Sequence, residues 1–271
     1  MAKVFAVLGG DRRQYYLTLY LRAQGYQVCT LGVPGLQDEG DLSEADAAVL
    51  PTPVLDEKGG IRGLGRKPEE VSRLLPQGIP VFGGAIRGAV EAFPTATDVL
   101  TWEELTQENA RFTAEGALGI LLSDLPLALS GQEILVIGMG RIGLHLAKLV
   151  LALGARVTLS VRAERDKKLL SALGIPWEDT GLYRRGLSSY LCVCNTVPFP
   201  VLSRDQIAQT REDCLFLELA SAPGGFFPED CEALGRKHRL ARGLPGIAVP
   251  QSAGEALAKS ILAYLDPSKE V

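Results

Sequence analysis

The stretch Glu133-Ile-Leu-Val-Ile-Gly138-Met-Gly140-Arg-Ile-Gly143-Leu-His-Leu-Ala-Lys-Leu-Val150 decides the fold. Ile134 to Ile137 is an apolar run of strand type, and it meets Gly-x-Gly-x-x-Gly directly. A helical pattern follows, with Ile142, Leu146, Leu149, Val150 and Leu153 at the spacing of one face. Strand, glycines and helix in that order form the context that a dinucleotide fingerprint requires. Gly138 permits a tight turn, Gly140 lets backbone approach a pyrophosphate, and Gly143 lets the helix lie close to the strand. The free N–H groups at the start of the helix then face the phosphates. The same glycines also fit a tight turn with no ligand. The neighbouring strand, arriving on schedule at Ala155–Arg162, favours a nucleotide site.

Bulk properties narrow the function classes. The chain has 271 residues, of which 46% are hydrophobic and 22% charged, enough for one large or two medium domains with a sizeable core. A net charge of −4 argues against a general binder of nucleic acid or anionic membrane. No run approaches the ~18 apolar residues of a membrane helix. The apolar start, Lys3 to Leu8, is too short for a secretory signal and reads as a first strand. The five cysteines are odd in number and include no C-x-x-C, which fits reduced structural thiols in a cytoplasm. With two histidines, His145 and His238, no His-rich metal site is expected.

The N-terminal half reads as a second α/β body. Lys3 to Leu8 is a strand, Tyr15 to Gln24 a helix ended by Gly25, and Tyr26 to Leu31 another strand. The loop between the first two holds Gly9-Gly10-Asp11-Arg12-Arg13, which is either a solvated turn or an anion site of backbone N–H groups and guanidinium. Further strands are expected at Asp46–Leu50, Ile79–Gly83 and Thr95–Leu100. Asp56 to Gly60 reads as a hairpin tip. Thr52 lies just past one strand and Arg87 just past another, where ligands collect in open parallel sheets. Thr101 to Glu104 has capping-box spacing for a short helix, and Thr113 is placed to cap a second, buried helix to about Leu125.

The expected architecture is α/β: two Rossmann-like, doubly wound parallel-sheet domains with a cleft between them. The boundary is expected near residues 126–131. This gives an N-terminal substrate or catalytic domain at 1–128, a nucleotide domain at 129–250, and a C-terminal helix at 251–271 returning to the first domain. Within the nucleotide domain, Tyr190 to Cys194 and Cys214 to Ser221 read as strands, Asp230 to Leu240 as a helix with His238 on the surface, and Leu244 to Pro250 as a final strand.

The expected cofactor contacts are Gly138, Gly140, Arg141, Ile142 and Gly143, with Asn195, Thr196, Val197 and Ala220 at later strand ends. At the tip of the strand after the glycines, the position that reads the ribose carries Ser160 and Arg162 in place of an acid. A carboxylate would repel a 2′-phosphate, whereas Arg and Ser would bind it, so NADP is favoured. NAD stays open, with Arg162 solvated and Glu164 turned toward the ribose.

Several stretches together resemble the dipicolinate synthase A-chain family of spore-forming bacteria. They are Gly9-Gly-Asp-Arg-Arg-Gln14, Pro51-Thr-Pro53, Thr113-Ala-Glu-Gly116, Ile137–Gly143, Asn195-Thr-Val-Pro198, Glu218–Gly225 and Leu244–Gly254. They run in order over nearly the whole chain. The resemblance implies a fold similar to formate/glycerate dehydrogenases and adenosylhomocysteinase. It implies NADP-linked oxidation of dihydrodipicolinate to dipicolinate in the cytoplasm of the sporulating mother cell. The partner it implies is the flavoprotein-like B subunit of dipicolinate synthase. A homo-oligomer is left open.

A pyridine dicarboxylate needs at least two anion contacts. The candidates for substrate binding are Arg12, Arg13, Thr52, Arg87, Thr113 and Ser252. Aromatisation supplies driving force, so the protein mainly positions and desolvates. Asp11, Glu115 and Glu218 are the candidate bases, and a water is an alternative. A 2-hydroxy-acid or amino-acid dehydrogenase of the same fold is a competing reading, weakened because His238 is the available histidine and sits in Arg-Lys-His-Arg. A non-catalytic nucleotide-binding protein supporting the B subunit is the other.

Overall fold

The computed structural model describes residues 3–184, 186–266 and 268. Two parallel sheets organise it, each in its own unit: Met1–Asn109 with Pro245–Val271, and Ala110–Leu244. The division falls inside one long helix, upstream of the expected 126–131.

In the first unit, β1 (Val4–Leu8), α1 (Arg12–Ala23), β2 (Gln27–Leu31), β3 (Ala47–Val49), α2 (Pro68–Ser72), β4 (Val81–Gly83) and β5 (Ala96–Asp98) follow in turn. The sheet order is β2-β1-β3-β4-β5, all parallel. Chain order reverses between β1 and β3, so the loops after these two strands flank a topological switch point. Both faces are covered. Phe5, Val7, Val49 and Phe82 pack on one side with α1, while Ala6, Leu8, Ala48 and Leu50 pack on the other. That two-sided burial is why these strands are continuous apolar runs.

α3 (Glu103–Asp124) starts in the first unit and ends in the second. The two helices expected around Thr101 and Thr113 are this single helix, and Thr113 lies in its middle rather than at a cap. Its small and apolar residues Ala114, Ala117 and Leu121 are buried in the second unit's core. The near all-round apolar content reflects that burial.

The second unit continues with β6 (Glu133–Ile137), α4 (Arg141–Ala152), β7 (Arg156–Val161), α5 (Glu164–Ala172), β8 (Trp177–Asp179), β9 (Cys192–Asn195), α6 (Arg204–Ala208), β10 (Leu215–Glu218), α7 (Pro228–Ala233) and β11 (Lys237–Leu240). The sheet order is β11-β10-β9-β6-β7-β8, again all parallel. Read from the β8 edge and counted from β6, this is the dinucleotide order 3-2-1-4-5-6, with its switch point between β6 and β9. Two expectations change. Residues 237–240 form the sixth strand instead of the end of a helix, with Lys237, Arg239 and Leu240 exposed. Charge on an edge strand guards it against pairing with other chains, and here it also hides the strand's period. Residues 244–248 form a short helix, α8 (Leu244–Ala248), in place of the expected strand. All five cysteines are free and buried, and burial pushes the Cys214 thiol up to about 12, so it is inert.

The C-terminal helix α9 (Pro250–Leu265) belongs to the first unit and lies along α1. Leu257, Ala258 and Ile261 enter its core. Tyr264 stacks on Trp102 with centroids 5.2 Å apart. Gly254 sets the helix spacing: a Cβ there would lie 2.4 Å from the Arg13 carbonyl oxygen and 2.9 Å from the Leu17 nitrogen. Both obstacles are backbone, so Gly254→Ala should force α1 and α9 apart. A loss of about 1–3 kcal/mol in urea unfolding is expected.

Candidate functional site

The second unit's switch point is built around the glycine loop. Gly138 has φ +99, which L side chains rarely adopt, and a Cβ there would reach 2.5 Å from Thr196 Oγ1. A Cβ on Gly143 would lie 2.1 Å from the Gly138 carbonyl oxygen. A Cβ on Gly140, by contrast, would meet nothing within 4 Å. Gly140 is exposed and is the N-cap of α4, without a side-chain cap. Two glycines are thus required by the protein itself, while the third leaves open space beside free helix N–H groups. That is the arrangement a pyrophosphate needs, and the residues fit a bound dinucleotide. Arg141 is exposed on the first turn, and Ile142 packs against the core.

The strand ends beside the loop are tied down. Thr196 donates from Oγ1 and from its backbone nitrogen to the Ile137 carbonyl, at 2.8 and 3.0 Å. Asn195 Nδ2 donates to the Val197 carbonyl at 2.8 Å and to Glu218 Oε1 at 2.7 Å. Glu218 is 1% exposed. Its Oε1 also accepts from Ala220 N at 2.8 Å, and its Oε2 from Gly225 N at 2.7 Å. Burial raises this carboxyl above its ordinary 4.5, against the lowering effect of the Gly225, Asn195 and Ala220 hydrogen bonds. Asn195, Thr196, Val197, Glu218 and Ala220 therefore come together at one edge. There Glu218 spans the loops after β9 and β10.

At the tip of β7, Ser160 is fully buried and its Oγ lies 2.8 Å from Thr180 Oγ1. Its backbone pairs with Ile137 in the sheet. Arg162, the next residue past the strand, is exposed and sits 5.9 Å from the Phe199 ring centroid. It borders a cavity of about 440 Å³ lined also by Thr180, Pro200, Ser203, Gln206 and Phe227. On α3, Glu115 is half-buried and paired with Arg111 one turn earlier at 3.3 Å; Thr113 is buried.

The first unit's switch point holds a second polar cluster. Asp11 is the N-cap of α1 and forms a capping box with Gln14. Its Oδ1 accepts from Arg13 Nε at 2.9 Å and its Oδ2 from Arg13 Nη2 at 2.7 Å, a bidentate pair. Arg13 Nη2 also donates to the Thr52 carbonyl. Arg13 is 7% exposed. Burial raises the Asp11 carboxyl, but the hydrogen bonds and charge of Arg13, with a contribution from Arg62, outweigh it and hold Asp11 below its usual 3.8. A Cβ on Gly246 would lie 2.7 Å from Asp11 Oδ2, so α8 closes over the pair. Two buried polar atoms nearby have no hydrogen-bond partner among the described residues, Thr52 Oγ1 and Gln14 Nε2. Arg12 is exposed beside Tyr16, its Nη2 3.4 Å from the Tyr16 hydroxyl. Arg87 is exposed on a 3-10 helix after β4, and Ser252 is exposed in the first turn of α9. Asp11, Arg13 and Thr52 are thus joined, while Arg12, Arg87 and Ser252 are not hydrogen-bonded to them. No helix among the described residues is long and apolar enough to cross a membrane.

Comparison with known proteins agrees with this frame. Residues 4–100 match the family model of the N-terminal domain of the dipicolinate synthase A chain. The dipicolinate synthase A chain of Bacillus subtilis (strain 168) is 26% identical over 93% of this chain and 92% of its own length. The crystal structure of the Bacillus halodurans A chain superposes with a TM-score of 0.84 at 24% identity, over 97% of this chain and 98% of that one. An L-alanine dehydrogenase superposes at 0.62 with 14% identity, over 96% and 88% of the two chains, which shows a shared dehydrogenase fold. Two Rossmann-like parallel sheets, a glycine loop at the switch point of the second and the match of residues 4–100 to that N-terminal domain model together make the chain similar to the dipicolinate synthase A chains over most of its length.

Proposed function

We propose that the chain is an NADP-dependent oxidoreductase that converts dihydrodipicolinate to dipicolinate, working with a B subunit in the mother-cell cytoplasm of a sporulating bacterium. The observation that carries the cofactor half is the pairing of the Gly138–Gly143 cradle with Arg162 at the tip of β7, where an NAD site would carry an acid. The substrate half rests on the relatives' names and on the arginine-bearing polar cluster at the first unit's switch point. When bound, NADP would accept a hydride; the proton lost on aromatisation leaves separately, which balances the oxidation.

The chain's own contribution is to hold and orient. The free N–H groups of α4 and the open side of Gly140 receive the pyrophosphate. Arg162 receives the 2′-phosphate, and the adjoining cavity receives the adenosine end. Thr196 and Asn195 shape the edge where the nicotinamide half lies. Asp11 and Glu218 already accept hydrogen bonds on both carboxyl oxygens, so in this reading they position neighbouring groups, and the proton passes to Glu115 or to water.

Titration with the two reduced nucleotides tests the cofactor assignment. Arg162→Glu should weaken NADPH by roughly 10- to 100-fold and leave NADH nearly unchanged, since a charge-assisted pair is replaced by repulsion. Equal effects on both would remove the 2′-phosphate assignment. A second reading, a non-catalytic nucleotide-binding protein, is favoured by the engagement of both Asp11 and Glu218. Turnover by this chain without its partner would eliminate it.

A further inference from the structure

Arg62 lies in the loop after β3, between a glycine-rich hairpin tip and α2, in a stretch with no helical or strand period. Its backbone is held by both loops of the first unit's switch point. Its N–H donates to the Val54 carbonyl at 2.9 Å, and its carbonyl accepts from Gly10 N at 2.7 Å. Close packing fixes the segment further. A Cβ on Gly9 would be 2.4 Å from the Arg62 oxygen, and a Cβ on Gly63, which has φ +84, would be 2.6 Å from Gly10 N. Ile61, just before it, is fully buried. The backbone of Arg62 is thus clamped where β1 and β3 diverge, the place an open parallel sheet offers to a ligand.

The side chain is in a different state. Arg62 is half-buried, and among the described residues no hydrogen bond or ion pair engages its guanidinium. The acid whose charge it stabilises, Asp11, already forms the bidentate pair with Arg13, and Arg13 is in turn bonded to the Thr52 carbonyl. The Asp11–Arg13 pair is neutral as a unit, so Arg62 is surplus positive charge. An unpaired guanidinium on a rigid loop is preorganised for a planar anion.

We propose that Arg62 is a substrate-binding residue that receives one carboxylate of a small dicarboxylate at the first unit's switch point, with the Asp11–Arg13 pair holding the loop beneath it. This rests on the dicarboxylate reading above. Because backbone atoms make the structural bonds, truncating the side chain should leave the loop intact.

Calorimetric titration of the full chain with dipicolinate tests this, using Arg62→Ala, Arg62→Lys and the exposed loop neighbour Arg66→Ala. Expected are a loss of roughly 10- to 100-fold for Arg62→Ala, a smaller loss for Arg62→Lys, and no change for Arg66→Ala. NADPH affinity should match wild type in all three, which reports an intact fold. Equal dipicolinate affinity in Arg62→Ala and wild type would overturn the Arg62 assignment alone. Equal losses in Arg66→Ala and Arg62→Ala would also overturn it, as general electrostatics. Wild-type protein that binds NADPH but not dipicolinate would overturn the substrate reading and this inference together.

Discussion

Gly143→Ala is expected to lose nucleotide binding and stability together, whereas Gly140→Ala should lose nucleotide binding alone. The added methyl at 143 would stand 2.1 Å from the Gly138 oxygen and 3.1 Å from its carbon. That carbonyl has little room to retreat. Gly138 N is bonded to the Ser160 carbonyl at 2.9 Å, and Thr196 holds Ile137 from the other side. Either α4 separates from β6 or the loop opens, at about 1–3 kcal/mol. Both outcomes displace the helix N-terminus from the phosphates, so NADPH affinity should fall by at least ~10-fold. At position 140 the methyl meets nothing, and φ is −75, which alanine adopts freely. Urea unfolding should therefore be unchanged for Gly140→Ala while NADPH affinity falls. A Gly140→Ala protein that binds NADPH normally would mean that no ligand approaches that face.

Glu218→Ala should be among the most destabilising single changes in the second unit. It strips the acceptor from Ala220 N, Gly225 N and Asn195 Nδ2 in a site that is 1% exposed. Unsatisfied buried donors cost about 1–3 kcal/mol each, partly relieved if water enters. A net loss of about 3 kcal/mol is expected, on the order of 10 °C in Tm. The pH dependence has a definite sign. Burial raises this carboxyl in the folded state, so between the unfolded and folded pKa values the native protein binds more protons. Its contribution to stability is larger below that window and falls as pH rises through it from about 4.5 upward. Glu218→Gln removes that slope. It also turns an amide N–H₂ toward Gly225 N or toward Asn195, so it should destabilise less than alanine but measurably.

How much of the fold is legible in the sequence depends on which physical signal each element carries. The β6–α4–β7 unit is legible because its glycines are demanded by sterics and its helix has one apolar face. The parallel sheets follow from the βα alternation. β11 is not legible: its residues Lys-His-Arg-Leu carry the charges of an edge strand and look like the last turn of a helix. α3 reads as two helices because Thr101 and Thr113 both match capping patterns, whereas the chain runs as one helix from Glu103 to Asp124 with Ala114, Ala117 and Leu121 buried along it. Ser160 has the sequence position of a strand-tip contact, but its side chain is fully buried and bonded to Thr180. A β7 ending one residue later, at Val161, leaves Arg162 as the tip. Arg62 carries a signal of a different kind, outside any period. Glycines at 59, 60, 63 and 65 enclose it, and those at 59, 63 and 65 have positive φ, a chain bent to bring its backbone against another loop.

The most direct test of the proposed activity is the absorbance of reduced nicotinamide when this chain alone is mixed with NADP and freshly generated dihydrodipicolinate. NADPH should appear together with dipicolinate in equal amounts, and Gly143→Ala should abolish both. Binding of NADPH without any turnover, with or without the B subunit, would contradict the assignment.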